Sequence, residues 1–100
     1  MNIIGGEKRG SKLALCESKA VRPTAQRTRE ALFNILQGGR FSLSLSNATV
    51  IDLFAGTGAI GLEALSRGAR SCVFVEQDQD ALQTLQAKIS KLKLEDSAHI

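Results

Sequence analysis

The amino-acid sequence of this 100-residue chain predicts an α/β fold, a parallel sheet with helices on both faces. Two short and nearly unbroken apolar runs, residues 50–54 and 72–75, are typical of strands that are buried on both sides. A helical pattern follows each run, over residues 59–67 and then along the stripe Leu82, Leu85, Ile89 and Leu92, for which Asp78 or Asp80 can cap the helix. Strand, helix, strand and helix in this order indicate a βαβα unit with right-handed crossovers.

A predicted β-hairpin and a predicted helix precede this unit. Residues 2–4 and 12–15 have strand-like patterns on either side of a glycine-containing stretch, which predicts a β-hairpin. Pro23 and Thr24 are typical of a helix start, and the apolar stripe that follows comprises Thr28, Ala31, Leu32, Ile35 and Leu36, with Arg29 outside it. We therefore divide the chain into a basic arm, 1–22, and the N-terminal part of an incomplete domain, 23–100, whose third core strand is not reached.

The net charge of +3 is unevenly distributed. Residues 1–40 carry eight basic and three acidic side chains, whereas residues 41–100 carry five and seven. A basic arm on a mildly acidic body suggests contact with a polyanion, although an ordinary solvated surface explains the charge equally well. The absence of an apolar run of about 18 residues and of a signal peptide favours a cytoplasmic protein without a membrane span. Cys16 and Cys72 match no metal-binding spacing, and we expect two reduced thiols.

The most specific motif directly follows the first predicted strand. Gly56, Gly58 and Gly61 satisfy the pattern G-x-G-x-x-G between a strand and a helix. Side chains at the first two positions would block a ligand from the backbone, and the third glycine allows close helix–sheet packing. Glu76 ends the second strand, 20 residues beyond Gly56, where a carboxylate can accept hydrogen bonds from both ribose hydroxyls. These features together predict a nucleoside-cofactor site.

Asp52, four residues before Gly56, distinguishes between cofactors. A carboxylate at this position would repel the pyrophosphate that dinucleotide sites hold at a helix N-terminus. The same carboxylate suits the ammonium and the nearby sulfonium of S-adenosylmethionine. A purely structural role, in which Asp52 caps a loop, is the alternative for this residue. We therefore favour S-adenosylmethionine and keep a NAD-binding oxidoreductase as a weaker alternative.

The chain resembles a known family. Residues 52–58 (DLFAGTG) are similar to the first motif of class I methyltransferases. Five further segments narrow the resemblance to bacterial 16S ribosomal RNA guanine-N2 methyltransferases: 3–6 (IIGG), 22–24 (RPT), 27–34 (RTREALFN), 61–68 (GLEALSRG) and 75–76 (VE). The match runs to about residue 89 and covers about half of a usual member. It implies a Rossmann-like class I methyltransferase fold and methylation of the exocyclic N2 amine of a guanine by S-adenosylmethionine.

The resemblance also implies two sets of binding residues. The cofactor set, from the methionine end to the adenine, comprises Asp52, Ala55, Gly56, Thr57, Gly58, Glu76, Gln77, Thr24 and Arg27. The set expected to hold phosphates of 16S ribosomal RNA, free or in the small ribosomal subunit, comprises Lys8, Arg9, Lys12 and Arg22. Arg22 is also a candidate for the cofactor's carboxylate. For the residues between 22 and 27, helix capping or plain solvation is an equally good explanation.

One family motif is missing. Members carry Asn/Asp-Pro-Pro-Tyr/Phe after the fourth strand, where it binds the guanine, but Pro23 is the sole proline here and the chain has no tyrosine. No catalytic residue is therefore assigned, and one edge of the first core strand is expected to lack its neighbour. We expect the hundred residues alone to transfer no methyl group and to bind the cofactor weakly or not at all. A non-catalytic RNA-binding module is the alternative description of the chain by itself.

Overall fold

A computed structural model describes residues 2–12, 26–38 and 44–100 of the chain. The elements in these ranges follow the order α1 (Gln26–Gln37), β1 (Thr49–Asp52), α2 (Ala59–Ser66), β2 (Ser71–Phe74), α3 (Gln79–Leu92) and β3 (Ala98–His99). Asp78 caps α3, with its carboxylate accepting from Ala81 N at 2.9 Å. Within the described ranges no helix combines the length and the apolar character that a membrane span requires. The predictions for Cys16, for the second hairpin strand and for the start of α1 lie outside the described residues.

The three strands form one parallel sheet in the order β1-β2-β3. Thr49–Asp52 pairs in register with Ser71–Phe74, and Cys72 pairs with Ala98. The predicted βαβα unit and its parallel sheet are thereby confirmed. The expectation that the third strand is not reached was wrong, because the turn after α3 brings Ser97 O to Cys72 N at 2.9 Å and starts the pairing.

Helices cover one face of this sheet in the described part of the chain. Right-handed crossovers that add each new strand on the same side return over the same face, so α2 and α3 lie together. Cys72 and Phe74 are almost fully buried beneath them, whereas Ile51 is 62% exposed on the opposite face. The described helices lie on this one face because the strand order does not reverse direction, which agrees with the predicted fold in the incomplete form expected for this chain. As expected, β1 is an edge strand among these residues.

Close packing of α2 on the sheet depends on Gly61. A Cβ atom at this position would lie 2.3 Å from Phe74 Cε1 and 2.7 Å from Cys72 Sγ, distances that real Cβ contacts do not reach. The predicted packing role of this glycine is thus confirmed. Burial raises the pKa of the Cys72 thiol to about 12, so the thiol stays protonated and unreactive at neutral pH.

The buried face of α1 differs from the predicted stripe. Leu32 and Ile35 belong to that stripe but are exposed, whereas Arg29 and Phe33, four residues apart, are buried. The helix packs through an ion pair between Arg29 and Glu63 of α2, with Nε and Oε1 3.2 Å apart. Apolar periodicity cannot report such a contact, and the stripe prediction was wrong for this reason.

Glu63 is fully buried and accepts four hydrogen bonds. Its Oε1 accepts from Ile4 N at 3.0 Å and from Arg29 Nε at 3.2 Å. Its Oε2 accepts from Gly5 N and from Arg67 Nε, both at 2.8 Å. One carboxylate therefore joins the N-terminal arm, α1 and α2, and it satisfies two backbone donors that burial would otherwise leave without partners.

The described part of the arm, residues 2–12, turns back on itself and packs on the end of α2. Asn2 and Lys12 form an antiparallel bridge. Ser66 Oγ accepts from Lys8 N at 2.9 Å and donates to Gly5 O at 2.6 Å. Glu7 N also donates to Ser66 O at 2.8 Å, so the arm supplies a partner to a carbonyl in the last turn of α2 that lacks a helical one.

Acid is expected to remove the stability that Glu63 contributes. Burial raises the pKa of this carboxyl, but bonds from Ile4, Arg67 and Gly5 outweigh burial and hold the pKa below its ordinary value of 4.5. At a pH between the pKa of Glu63 in the folded chain and its higher pKa in the unfolded chain, the unfolded chain binds more protons. The stability that Glu63 contributes is therefore complete above the unfolded pKa and is lost as pH falls through the folded pKa. The difference in thermal midpoint between the unaltered chain and Glu63→Gln should narrow below pH 4.5; a constant difference would contradict this.

Candidate cofactor site at the carboxyl edge of the sheet

A cleft of about 290 Å³ lies beyond the carboxyl ends of β1 and β2, and its lining comprises Leu53, Phe54, Val75, Glu76 and Gln77. Ligands of open parallel sheets bind at this edge. Phe54 is 92% exposed beside the Glu76 carboxylate, so the cleft combines an apolar wall with a pair of acceptor oxygens. Such a combination suits a flat base that carries a hydroxylated sugar.

The loop between β1 and α2 continues the pairing with β2 beyond the regular strands. Val75 N donates to Asp52 O at 2.9 Å, and Ala55 N donates to Val75 O at 3.0 Å. These two bonds bring the glycine-rich loop to the end of β2. Ala55 is itself buried, so it contributes to the site through the backbone that it positions.

The two glycines of the loop have left-handed backbone conformations, with φ of +57° at Gly56 and +86° at Gly58. A Cβ atom at Gly58 would also lie 2.3 Å from Leu85 Cδ1 of α3. Close approach of a ligand was the reason predicted for Gly58. The structure adds a conformational and a packing requirement, which apply whether or not a ligand binds.

Glu76 lies at the junction of β2 and the glycine loop. Its Oε1 accepts from Gly56 N at 2.8 Å, and its Oε2 accepts from Gln77 N at 2.9 Å and Asp78 N at 3.0 Å. These backbone donors, that of Asp78 foremost, hold the pKa of Glu76 below its ordinary value. The carboxylate is therefore ionised at neutral pH, and the two residues predicted from their spacing meet directly.

Asp52 ends β1, and its half-buried carboxylate faces the start of α2. Its Oδ2 accepts from Gly61 N at 3.3 Å, while the N-cap residue Gly58 offers no side-chain acceptor. Burial raises the pKa of Asp52 more than the bonds from Gly61 and Phe54 lower it. No ion pair within the described ranges involves this carboxylate. Asp52 thus supports the helix start and remains an anion that a bound cation would stabilise.

Lys88 contacts the backbone of the glycine loop and does not line the cleft. This α3 residue is buried, and its Nζ donates to Thr57 O at 3.1 Å. Thr57 is only 3% exposed, which leaves little of it accessible to a ligand. Lys88 was not among the predicted site residues, because a lysine beside an apolar stripe does not indicate what its ammonium contacts. Its position three residues after buried Leu85 was the available signal.

The other predicted site residues that the structure describes do not line the cleft. Arg27 is exposed in the first turn of α1 and does not line the cleft. Thr24 and Arg22 fall outside the described residues. Lys8, Arg9 and Lys12 lie on the arm, at the far end of α2 from the cleft.

Comparisons with known proteins place the chain among related sequences. The family model for Conserved hypothetical protein 95 matches residues 1–100. The chain is 43% identical over 93 residues to ribosomal RNA small subunit methyltransferase D of Escherichia coli strain K12, covering 93% of this chain and 44% of that protein. It is 36% identical over 104 residues to YlbH, a candidate rRNA methyltransferase of Bacillus subtilis, covering 100% and 52%. The chain thus spans about half the length of the curated relatives it matches.

Solved structures agree with this relationship. A candidate methyltransferase from Escherichia coli, yhhF, superposes with a TM-score of 0.83 at 38% identity, over 99% of this chain and 49% of that one. A hypothetical protein from Thermus thermophilus gives a TM-score of 0.77 at 33% identity, over 99% and 53%. Together with the parallel sheet, these neighbours establish a partial Rossmann-like fold.

Proposed function

Because this chain belongs to the Conserved hypothetical protein 95 family, we propose that it is the N-terminal half of an S-adenosylmethionine-dependent enzyme that methylates small-subunit ribosomal RNA. The similarity to ribosomal RNA small subunit methyltransferase D supports the substrate class. The finer assignment, the exocyclic N2 amine of a guanine in 16S ribosomal RNA, rests on the motif resemblance. A cytoplasmic location belongs to the same proposal.

The observation that carries the cofactor assignment is the position of two carboxylates at one edge of the sheet. Glu76 lines the cleft and accepts a hydrogen bond from Gly56 N. Asp52 lies at the start of the loop that contains Gly56 and accepts a hydrogen bond from Gly61 N. When bound, S-adenosylmethionine supplies an electrophilic methyl group on a sulfonium. Asp52 is the anion suited to the cationic end of such a ligand, and its pKa is raised by burial, which a bound cation would offset.

Glu76 is suited to the ribose. Its carboxylate offers about four lone-pair sites, of which three accept backbone donors. Holding both ribose hydroxyls therefore requires that at least one backbone bond, such as that from Gly56, be exchanged. The cleft volume of about 290 Å³ lies just below the range of about 300–1,000 Å³ that ligand pockets occupy. Both points favour weak binding by this chain alone.

Replacing Asp52 with asparagine should weaken binding of S-adenosylhomocysteine by about 10- to 100-fold, because one charge-assisted contact of about 1.5–3 kcal/mol is lost. The measurement is calorimetric titration, supported by amide chemical shifts of Gly56 and Glu76 where binding is weak. The asparagine side chain keeps an oxygen for Gly61 N, so the start of α2 is retained.

Asp96→Asn is the matched control, since Asp96 is an exposed acid in the turn before β3 and its change alters the net charge equally. Its affinity for S-adenosylhomocysteine should equal that of the unaltered chain. NAD binding without S-adenosylhomocysteine binding would overturn the cofactor assignment. Methyl transfer by the isolated chain would contradict the expectation that the guanine-binding motif lies outside it.

A further inference from the structure

A buried lysine of α3 contacts the glycine-rich loop. Lys88 is only 2% exposed, and its Nζ donates to Thr57 O at 3.1 Å. About one turn earlier in α3, Leu85 packs so closely on Gly58 that a Cβ atom there would lie 2.3 Å from Leu85 Cδ1. Two neighbouring side chains on one face of α3 therefore contact two consecutive residues of the loop.

The peptide group between Thr57 and Gly58 is bonded on both sides. Its carbonyl, that of Thr57, accepts from Lys88, and its N–H, that of Gly58, donates to Ala55 O at 2.8 Å. A peptide group whose donor and acceptor are both engaged in a buried site has little freedom to rotate. The Lys88 bond thus contributes directly to the conformation of the loop.

A second attachment of the loop is the one that a ribose would displace. Gly56 N donates to Glu76 Oε1 at 2.8 Å, and holding both ribose hydroxyls requires that a bond of this kind be exchanged. The Lys88 bond comes from α3 and does not involve Glu76. It can therefore keep the loop in place while Glu76 changes partners.

Burial of Lys88 is not a favourable way to pack α3. An ammonium is costly to remove from water, and replacing a buried charge by an apolar side chain of similar volume is often neutral or stabilising. An apolar residue at this position would also extend the buried face that Leu85, Ile89 and Leu92 form. The contact of the ammonium with the loop gives this lysine a role that an apolar side chain could not fill.

We propose that Lys88 is a positioning residue for the cofactor, because its bond to the Thr57 carbonyl keeps the glycine-rich loop in the conformation that admits S-adenosylmethionine. This inference rests on the proposed function for the identity of the ligand. Lys88 does not line the cleft, so it acts through the loop backbone and not by contact with the ligand. Loss of its ammonium should therefore loosen the loop and weaken ligand binding without unfolding the chain.

Lys88→Met tests this role, because methionine has a similar shape and no hydrogen-bond donor. Amide exchange at Gly58 in the ligand-free variant should be about 10-fold faster, and the affinity for S-adenosylhomocysteine about 10-fold lower. Exchange at Cys72, whose N–H donates to Ser97 O within the sheet, should not change. The thermal midpoint should rise, or fall by less than about 4 °C.

Lys91→Met is the matched control. The change removes the same group from the same helix, but Lys91 is exposed and donates to the carbonyl of Lys12 in the arm instead of the loop. Exchange at Gly58 and the affinity for S-adenosylhomocysteine should both equal those of the unaltered chain.

The exchange measurement separates this proposal from the proposed function, because it needs no ligand. If the unaltered chain binds no S-adenosylhomocysteine, the cofactor assignment fails, and faster exchange at Gly58 but not at Cys72 still supports the positioning of the loop by Lys88. Exchange at Gly58 equal to that of the unaltered chain overturns the proposal. So does an unchanged affinity where the unaltered chain binds the ligand, or equally faster exchange at Gly58 and Cys72, which indicates general destabilisation.

Discussion

Replacing Glu63 with alanine is expected to destabilise the chain by about 3–5 kcal/mol, the cost of breaking a buried ion pair by removing one partner. The change leaves Arg29, 1% exposed, without its carboxylate and removes the acceptor of Ile4 N and Gly5 N. A domain of this size has a total stability of about 5–15 kcal/mol, so the change should remove a third or more of it near the middle of that range. Urea unfolding followed by circular dichroism measures the loss.

Two variants test the mechanism behind this loss. Glu30→Ala removes an exposed glutamate of α1 and should change the free energy of unfolding by no more than about 0.5 kcal/mol. Glu63→Gln keeps the shape of the side chain, and its loss in free energy of unfolding should lie between those of Glu30→Ala and Glu63→Ala. An amide accepts fewer hydrogen bonds than a carboxylate and leaves both arginines without an ion-pair partner. A loss below about 1 kcal/mol in Glu63→Ala would show that the buried pair contributes little beyond its desolvation cost.

Replacing Gly6 with alanine should detach the arm from α2 at a cost of about 2–5 kcal/mol, from backbone strain and overpacking together. Gly6 has φ of +78°, and a Cβ atom there would lie 1.8 Å from Ser66 O and 2.7 Å from Arg67 N. Both are backbone atoms, so no side chain can move aside. Because Glu7 N donates to the same Ser66 O at 2.8 Å, relief of the clash breaks that bond as well.

Gly10→Ala provides the matched control. Gly10 lies in the same hairpin with φ of +83°, but a Cβ atom there has nothing within 4 Å. Gly10→Ala should therefore lower the free energy of unfolding only by the strain of a left-handed alanine, about 1–2 kcal/mol. Hydrogen exchange at Ile4 and Gly5 distinguishes detachment of the arm from global unfolding. Equal protection of these amides in the two variants would contradict the packing of Gly6 against Ser66.

Much of the βαβα unit could be predicted because each of its elements has a local signal. The apolar runs correspond to β1 and β2, Asp78 caps α3 as one of two candidates, and Gly61 packs where its motif position indicates. The meeting of Glu76 with the glycine loop was also predictable. A 20-residue spacing spans one crossover, and parallel strands bring their carboxyl ends to the same edge.

The contacts that could not be predicted join residues of unlike character across different elements. Arg29 and Phe33, rather than the apolar stripe, form the buried face of α1, because Glu63 attracts an arginine that periodicity counts as solvent-facing. Lys88 is buried in α3 because its ammonium reaches the carbonyl of Thr57. In both cases a partner distant in sequence offsets the cost of burial, and no local pattern contains that partner.

The order of helices and strands, the parallel sheet, the family and the meeting of Glu76 with the glycine loop could all be predicted from the sequence. Each depends on spacing within a few turns or one crossover. Tertiary structure alone decided which face of α1 is buried, that Glu63 anchors the arm, and that the arm meets Lys91 at the edge opposite the cleft. These features depend on the three-dimensional meeting of charged groups and backbone donors, whose free energy is set by burial and geometry rather than by periodicity.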